Sequence, residues 1–147
     1  MFKKTMLCAA AVTLTLLTGC ASVPMESAEK DQALKSFTAP ASDKAGIYIF
    51  RDSSLGPALK KTVKIDGETI GETATHTYFY RLVNPGRHVL ATESEFGDNT
   101  LELVTQGGHN YYVRQSIKLG VFVGGAKLTL VPEAEGKQGV RDSKLAQ

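Results

Sequence analysis

From residue 45 to residue 131, runs of alternating apolar and polar residues are separated by Gly, Asn and Pro, the pattern of strands joined by tight turns. Gly46-Ile-Tyr-Ile-Phe-Arg51 is apolar at both alternating sets, which is typical of a strand covered on both faces. Strands recurring roughly every 8 to 12 residues indicate a sandwich or a small barrel, and we predict an all-β, antiparallel sandwich of about seven strands. The predicted strands are residues 46–51, 62–66, 69–72, 77–83, 87–95, 101–105, 111–119 and 127–131.

Two of the predicted turns carry residues suited to a tight reversal of the backbone. Asp66-Gly67 is a hairpin signal in which the glycine supplies a positive φ. In Asn84-Pro85-Gly86 the proline fixes its own φ and the glycine is free to enter the left-handed region. We therefore assign Asp66, Gly67, Pro85 and Gly86 a structural role in shaping these turns.

The segments that flank the strands have weaker patterns. Residues 20–44 are predicted to be a tether, within which residues 26–37 form either one short helix or a flexible spacer with a fluctuating helix. The tail over residues 133–145 has a helical pattern, although Gly136 and Gly139 each weaken a helix by about 1 kcal/mol relative to alanine. A C-terminal helix is therefore a weaker expectation than the strands.

The first nineteen residues have the organisation of a secretory signal peptide. Lys3 and Lys4 are followed by a mostly apolar run over residues 6–17 and then by small residues before Cys20. The run is shorter than the ~20 residues that span a bilayer, which disfavours a single-pass anchor. A plain secretory signal, with Cys20 an ordinary residue of the mature chain, is the other alternative.

Leu17-Thr18-Gly19-Cys20 resembles the lipobox of bacterial lipoproteins. The resemblance implies a signal peptide over residues 1–19, cleavage before Cys20, a diacylglycerol on its thiol and an acyl chain on its new amine. Two or three chains together anchor a protein stably, whereas one binds only reversibly. Ala21 and Ser22 follow the cysteine with no aspartate, and by resemblance to Gram-negative lipoproteins this implies the outer membrane, facing the periplasm.

Composition limits what the remaining 128 residues can be. They suffice for a single domain, which we place at residues 45–147, the sandwich with its C-terminal tail. Of 17 basic residues Lys3 and Lys4 fall in the signal, so fifteen remain against fifteen acidic ones, and no basic stripe points to nucleic acid. Cys8 lies in the signal and Cys20 would be lipidated, which excludes a disulfide framework and thiol-bound zinc.

The turn motifs occur within two longer spans that resemble a known type of fold. Val63-Lys-Ile-Asp-Gly-Glu-Thr-Ile-Gly71 and Leu82-Val-Asn-Pro-Gly-Arg-His-Val-Leu90 are similar to the PEGA-type β-sandwich of bacterial surface proteins. Together with residues 46–51 and the lipobox, the chain resembles a family of bacterial lipoproteins known only as a domain of unknown function. The resemblance covers roughly residues 40–131 and implies a fold but no catalytic residues.

Residues able to support metal binding or catalysis are sparse. A metal site needs several converging ligands, and the spacing of the three histidines does not force them together (His76, His88 and His109). A hydrolase needs a nucleophile activated by a base, and the chain has no Gly-x-Ser-x-Gly elbow; Ser53 and Ser54 lie in a loop with no histidine nearby in sequence. We therefore expect no enzymatic activity, no metal and no cofactor, and we interpret Glu93 and Glu95 as part of a solvated strand face.

Aromatic and apolar side chains are the better candidates for interaction. Tyr78 and Tyr80 would stack on glycan rings or contact a protein if they lay on an open sheet face; the alternative is that they pack within the fold. Phe122 lies in the apolar, glycine-flanked loop Leu119-Gly-Val-Phe-Val-Gly-Gly-Ala126. It either folds back over the sandwich edge or forms an exposed tip that contacts a membrane or an envelope protein.

These observations favour a lipid-anchored envelope lipoprotein whose sandwich is a non-catalytic binding or scaffolding module. Its expected partners are the membrane, through the N-terminal anchor, and an envelope protein. The alternative function is binding of a small ligand, such as a lipid or glycan fragment, in the periplasm. A cavity of a few hundred Å³ would favour the ligand-binding alternative, whereas a core filled by side chains would favour the scaffold.

Overall fold

Two β-sheets packed face to face, with helices on one outer face, make up the structure, a computed structural model that describes residues 20–147. The predicted signal peptide, residues 1–19, lies outside the described residues. In chain order the elements are α1 (Ala28–Leu34), β1 (Ala45–Arg51), β2 (Lys61–Ile65), β3 (Glu68–Thr73), β4 (Thr77–Val83), β5 (Gly86–Ser94), β6 (Gly97–Thr105), β7 (Asn110–Lys118), β8 (Gly125–Val131), α2 (Glu133–Arg141) and β9 (Lys144–Leu145).

The predicted all-β sandwich is confirmed. One sheet has five strands in the order β8-β7-β1-β4-β9, and the other has four in the order β3-β2-β5-β6. The described residues form nine strands where about seven were expected, and the pairs β1–β7 and β4–β9 are parallel whereas the expectation was antiparallel. The chain passes repeatedly between the two sheets, so hairpin pairing of consecutive strands does not set every strand direction.

Strand β1 is the centre of the fold, and all seven of its residues are buried. Ile47 and Ile49 face the four-stranded sheet and form the core with Val63, Leu90 and other apolar residues. The alternate residues of β1, Tyr48 and Phe50, point to the opposite face, as the two-residue period of a strand requires. The prediction that this strand is covered on both faces is therefore confirmed.

Helix α2 lies across the outer face of the five-stranded sheet, and its two glycines explain how closely it packs. A Cβ added at Gly136 would lie 2.1 Å from the Cβ of Tyr112, and one added at Gly139 would lie 2.1 Å from the Phe50 ring. Both glycines and Val140 are buried. The glycines that weaken the helical pattern in the sequence are therefore the residues that allow the helix to contact the sheet.

The segment predicted to be a tether is packed against the sandwich instead of standing free. The backbone N–H of Glu26 donates to Leu145 at 3.0 Å, and that of Gln147 donates to Pro24 at 3.0 Å. Helix α1 occupies part of the predicted range, and the Asp31 carboxylate accepts hydrogen bonds from the Tyr78 hydroxyl at 2.8 Å and the Leu145 N–H at 3.2 Å. These long-range hydrogen bonds are the reason that the segment packs against the sandwich and does not stand free as a tether.

One end of the sandwich, here called the residue-20 end, is formed by residues 20–22 and the loops 52–60, 74–76, 95–96 and 119–124. The loops follow strands β1, β3, β5 and β7, and contacts join them to one another. A Cβ added at Gly124 would lie 2.7 Å from the Leu59 side chain, and one added at Gly125 would lie 3.3 Å from the Ser94 Cα. Four loops and the start of the described chain therefore share one surface.

Candidate functional site

Cys20 is an exposed free cysteine at the residue-20 end. The next residue is already attached to the domain, because the backbone N–H of Ala21 donates to the carbonyl of Pro57 at 3.0 Å. Met25 then forms an isolated bridge with Ala146. A lipid on the Cys20 thiol would therefore leave the domain at a defined position beside loop 52–60.

Loop 52–60 is itself organised by a buried cation. The guanidinium of Arg51, whose residue is 0% exposed, donates to the carbonyls of Leu59 at 2.7 Å, Leu55 at 3.1 Å and Gly56 at 2.7 Å. Burial lowers the pKa of Arg51, and the three carbonyls accept hydrogen bonds from its two terminal amino groups, while its buried Nε has no partner among the described residues. The surface beside Cys20 is thus built on a side chain from β1.

Loop 119–124 is an exposed apolar tip. The exposed fractions are 84% for both Leu119 and Phe122, 81% for Val121 and 58% for Val123. Phe96, in the neighbouring loop 95–96, is 82% exposed. The alternative in which Phe122 folds back over the sandwich edge is therefore wrong for this structure, and the apolar side chains of the loop point away from the core.

Glu95 sets the shape of this tip. Its carboxylate accepts backbone hydrogen bonds from Val121 at 2.8 Å and from Phe122 at 2.5 Å, with a longer one from Val123 at 3.4 Å. The bond from Phe122 is the largest influence that holds the pKa of Glu95 below its usual value. Glu95 is therefore a loop clamp rather than a member of a solvated strand face, whereas Glu93 accepts a bond from Thr62 and pairs with Lys61.

Tyr78 and Tyr80, the tyrosines that were candidates for interaction, lie on the outer face of the five-stranded sheet, and one of the two is fully covered. Tyr78 is 0% exposed and donates to Asp31, so its proposed contact with a partner is wrong for this structure. Tyr48 and Tyr112 stack with ring centroids 5.2 Å apart. Tyr80 is half-buried and reaches the surface at the edge of a groove.

This groove lies between α1, β4 and residues 145–147 and has a volume of about 470 Å³. Leu34 and Tyr80 contribute apolar surface to it, and Lys30 and Arg81 contribute positive charge. The Arg81 guanidinium is already engaged, because it donates to the carbonyls of Tyr80 at 2.9 Å and Ile70 at 3.1 Å. The groove is open at the surface and does not lie between the sheets.

The predicted turn residues occupy the opposite end of the sandwich, and one of them, Asp66, contacts strand β5. Asp66 has φ 51°, Gly67 φ 83° and Gly86 φ 137°, so these turns use the positive backbone angles that the sequence predicts, while Pro85 lies exposed between β4 and β5. The Asp66 carboxylate contacts the His88 Nδ1 at 2.7 Å and accepts from the Val89 N–H at 2.8 Å.

The other two histidines, His76 and His109, are exposed, and each lies in a loop between two strands. Within residues 20–147 no three His, Cys, Asp or Glu side chains lie close enough to hold a metal ion. The Ser54 hydroxyl contacts His76 Nε2 at 3.1 Å, but both residues are exposed. Across that same range, no hydrogen bond joins His76 to a carboxylate that would orient it as a base.

The structural roles of three side chains were missed from the sequence, namely those of Asp31, Arg51 and Glu95. Each of them contacts residues far away in the chain or backbone groups of a loop. Neither kind of contact produces a periodic pattern of residues in the sequence. Arg51 offered one sign, since it is a charged residue that ends a strand otherwise apolar on both faces.

Within the described range, no helix has the length and apolar character needed to cross a membrane.

Comparison with known proteins places the chain in a family. The model of a family described as "Protein of unknown function (DUF2846)" matches residues 41–126, more than half of the chain, and the chain belongs to this family. The match spans the strands from β1 to the start of β8. This confirms the expectation of a domain of unknown function, while the lipoprotein and PEGA-type resemblances stay predictions.

A relative extends the similarity beyond the matched strands. An uncharacterized protein of Haemophilus influenzae (strain ATCC 51907 / DSM 11121 / KW20 / Rd) is 46% identical to the chain over 131 residues. The similarity covers 89% of this chain and 78% of the relative. No solved structure matches the chain.

Proposed function

We propose that the chain is exported, cleaved before Cys20 and acylated there, so that the sandwich becomes a lipid-anchored, non-catalytic binding or scaffolding module of the cell envelope. The observation that carries the proposal is the position of Cys20, exposed at one end of a domain that contains no other cysteine. The lipobox and the signal-like residues before it agree with this position. The absence of aspartate after Cys20 supports the outer membrane, facing the periplasm.

A scaffolding role is supported by how the interior is filled. Ile47, Ile49, Val63, Leu90 and Val113 are each 0% exposed between the two sheets, so side chains occupy the space that a ligand would need. The exposed pair Ser54 and His76 lacks a carboxylate to orient the imidazole. A binding surface on loops and sheet faces is therefore favoured over a catalytic cleft.

The anchor is tested by labelling cells with radioactive palmitate and recovering the protein. We expect label on the wild type and none on Cys20→Ser, which should also accumulate as an uncleaved or soluble species. Separation of the two membranes on a density gradient should place the labelled protein in the outer fraction. An unlabelled wild type would overturn the anchor, and a labelled protein in the inner fraction would overturn only the assignment to the outer membrane.

The scaffolding role is tested by crosslinking in living cells followed by mass spectrometry. We expect defined protein neighbours, with crosslinks at loop or sheet-face residues of the sandwich. Crosslinks that occur only within the chain, together with a small molecule that co-purifies with the protein, would favour the alternative function.

That alternative, binding of a lipid or glycan fragment, is supported by the groove of about 470 Å³ beside Tyr80. Native mass spectrometry of the purified protein should then detect bound mass, and Tyr80→Ala should reduce it. Bound mass that is unchanged by Tyr80→Ala, or no bound mass at all, would contradict the use of this groove. The groove is the second candidate because the Arg81 guanidinium in it is already satisfied by backbone carbonyls.

A further inference from the structure

The apolar side chains exposed at the residue-20 end are concentrated at two neighbouring loop tips. Leu119, Val121 and Phe122 in loop 119–124 are each more than four-fifths exposed, as is Phe96 in loop 95–96. Solvent-exposed apolar clusters of this kind usually mark an interaction surface. Glu95, which lies between them, joins the two loops through its bonds to the backbone of Val121 and Phe122.

The tip is pre-shaped, so exposure of its apolar groups needs no rearrangement. The Glu95 carboxylate accepts hydrogen bonds from three backbone N–H groups of the loop. These N–H groups would otherwise lose their water without a replacement partner if the loop entered an apolar medium, which costs free energy. The same hydrogen bonds, the one from Phe122 first, lower the pKa of Glu95. Phe122 and Val121 are thereby presented outward on a hydrogen-bonded backbone.

The tip and the start of the described chain are attached to the same loop. Loop 52–60 accepts the Ala21 N–H at Pro57, and its Leu59 side chain lies under Gly124 at the base of the tip. The nineteen residues outside the structure, with their apolar run over residues 6–17, also join the domain at this end. Whatever holds residue 20 at a membrane therefore brings the tip to that membrane as well.

We propose that the residue-20 end docks on the lipid bilayer, with Phe122 and Val121 inserted among the acyl chains beside the anchor and Phe96 as a second contact. This rests on the proposed function, because the acyl chains on Cys20 would hold the tip at the surface. Exposed Lys118, directly before the tip, is placed to approach lipid phosphates, whereas Lys60 at the end of loop 52–60 pairs with Glu72 at 3.8 Å. The sandwich would then stand with its Asp66 and Pro85 turns farthest from the membrane.

The chain contains no tryptophan, which allows a direct test with single reporters. The full chain carrying Phe122→Trp or Phe96→Trp is purified and reconstituted into vesicles of phosphatidylethanolamine and phosphatidylglycerol that include lipids brominated along the acyl chains. Val104→Trp, at a 65% exposed position on the outer face of the four-stranded sheet, is the matched control. Bromine quenches tryptophan only on close approach, so quenching reports insertion.

Docking predicts that the emission at position 122 shifts to the blue and is quenched at least twofold, that position 96 is quenched less, and that position 104 is unaffected. The quenching should persist in high salt, because insertion is apolar. Equal, negligible quenching at all three positions would overturn the proposal. A blue shift at position 122 that appears without vesicles and grows with protein concentration would also overturn it, since a second copy would then cover the tip.

The anchor and the docking can fail separately. Palmitate labelling decides whether Cys20 is acylated, and quenching decides whether the tip inserts. A labelled protein without quenching keeps the proposed function and overturns docking. An unlabelled protein whose position 122 is quenched in the added vesicles supports docking and overturns the lipid anchor.

Discussion

At the scale of single residues, Arg51 shows how one buried charge builds a surface. Its guanidinium donates to three backbone carbonyls of loop 52–60, and through that loop it supports both Ala21 and the base of the apolar tip. A planar group with five donors can reach several carbonyls at once, whereas an ammonium group cannot reproduce that geometry. The loop is therefore specified by a residue type as well as by a charge.

We expect Arg51→Lys to destabilise the protein by about 3 kcal/mol, because buried carbonyls lose their donors while a charge remains buried. Arg87→Lys is the matched control; Arg87 is exposed and pairs with Glu102 at the surface, and its change should alter stability by less than about 0.5 kcal/mol. Urea unfolding of both variants measures the difference. Equal free energies of unfolding for Arg51→Lys and Arg87→Lys would show that Arg51 does not organise the loop.

At the scale of elements, α2 and the two linked turns show how the layers are joined. Gly136 and Gly139 allow α2 to approach Tyr112 and Phe50 closely. At the far end, Asp66 in the turn between β2 and β3 contacts His88 in β5, and His88 Nε2 also contacts the carbonyl of Asn84 at 2.7 Å. The two turn motifs of the sequence are therefore one structural unit.

Gly139→Ala tests the close approach of α2. Alanine is the better helix former by about 1 kcal/mol, yet its Cβ would overlap the Phe50 ring, and overpacking of this kind costs about 1 to 3 kcal/mol. We expect a net loss of stability in chemical denaturation. Gln138→Ala, at the exposed neighbouring position, should change stability by less than about 0.5 kcal/mol. A Gly139→Ala protein as stable as the wild type would contradict the packing.

The pair of Asp66 and His88 predicts a dependence of stability on pH. Burial by itself would lower the pKa of His88, but the Asp66 carboxylate and the Asn84 carbonyl raise it above the usual 6.5. The His88 hydrogen bond is also the main cause that lowers the pKa of Asp66 below 3.8. The pair of Asp66 and His88 therefore stabilises the folded state fully between pH 3.8 and pH 6.5. This stabilisation is lost as the pH rises through the raised pKa of His88.

We expect wild-type stability to fall by up to about 1 kcal/mol between pH 6 and about pH 8, a modest value because Asp66 is half exposed to screening solvent. His88→Gln should remove most of this fall. His109→Gln, which changes an exposed histidine in another turn, should keep it. Urea unfolding at the two pH values provides the measurement, and an unchanged fall in His88→Gln would assign it to other groups.

The strands and turns could be predicted because their signals are local. The alternation over residues 77–83 and the Asp66-Gly67 turn each depend on neighbouring residues alone. The parallel pairing of β1 with β7, and of β4 with the two-residue β9, depends on residues far apart in the chain and has no local signal. The Glu95 clamp and the covering of Tyr78 by α1 were missed for the same reason.

At the scale of the whole molecule, the N-terminal segment and the C-terminal residues hold each other against the sandwich. Asp31 is central to this contact. Burial alone would raise the pKa of its carboxyl, but hydrogen bonds from Lys35 and Tyr78 outweigh burial and lower it. Residues of the 21–44 segment are thus bonded to the sandwich and to its C-terminal residues.

Asp31→Ala should cost about 2 kcal/mol and release the segment, because the Tyr78 hydroxyl and the Leu145 N–H both lose an acceptor. Glu29→Ala, on an exposed side of the same helix, should be nearly neutral. Thermal unfolding gives the stability, and hydrogen exchange at the Glu26 and Gln147 amides reports the release. Full protection of both amides in Asp31→Ala would contradict the role of Asp31.

The seam between residues 24–26 and 145–147 also has a mechanical meaning. A pull applied at residue 20 reaches the bonds of Ala21, Glu26 and Gln147 before it reaches the sheets. If those few bonds break, residues 21–26 can extend to roughly 20 Å at about 3.4 Å per residue, while the hydrogen bonds of Asp31 still hold the rest of the segment. The distance between residue 20 and the sheets would then depend on the applied force as well as on the number of residues between them.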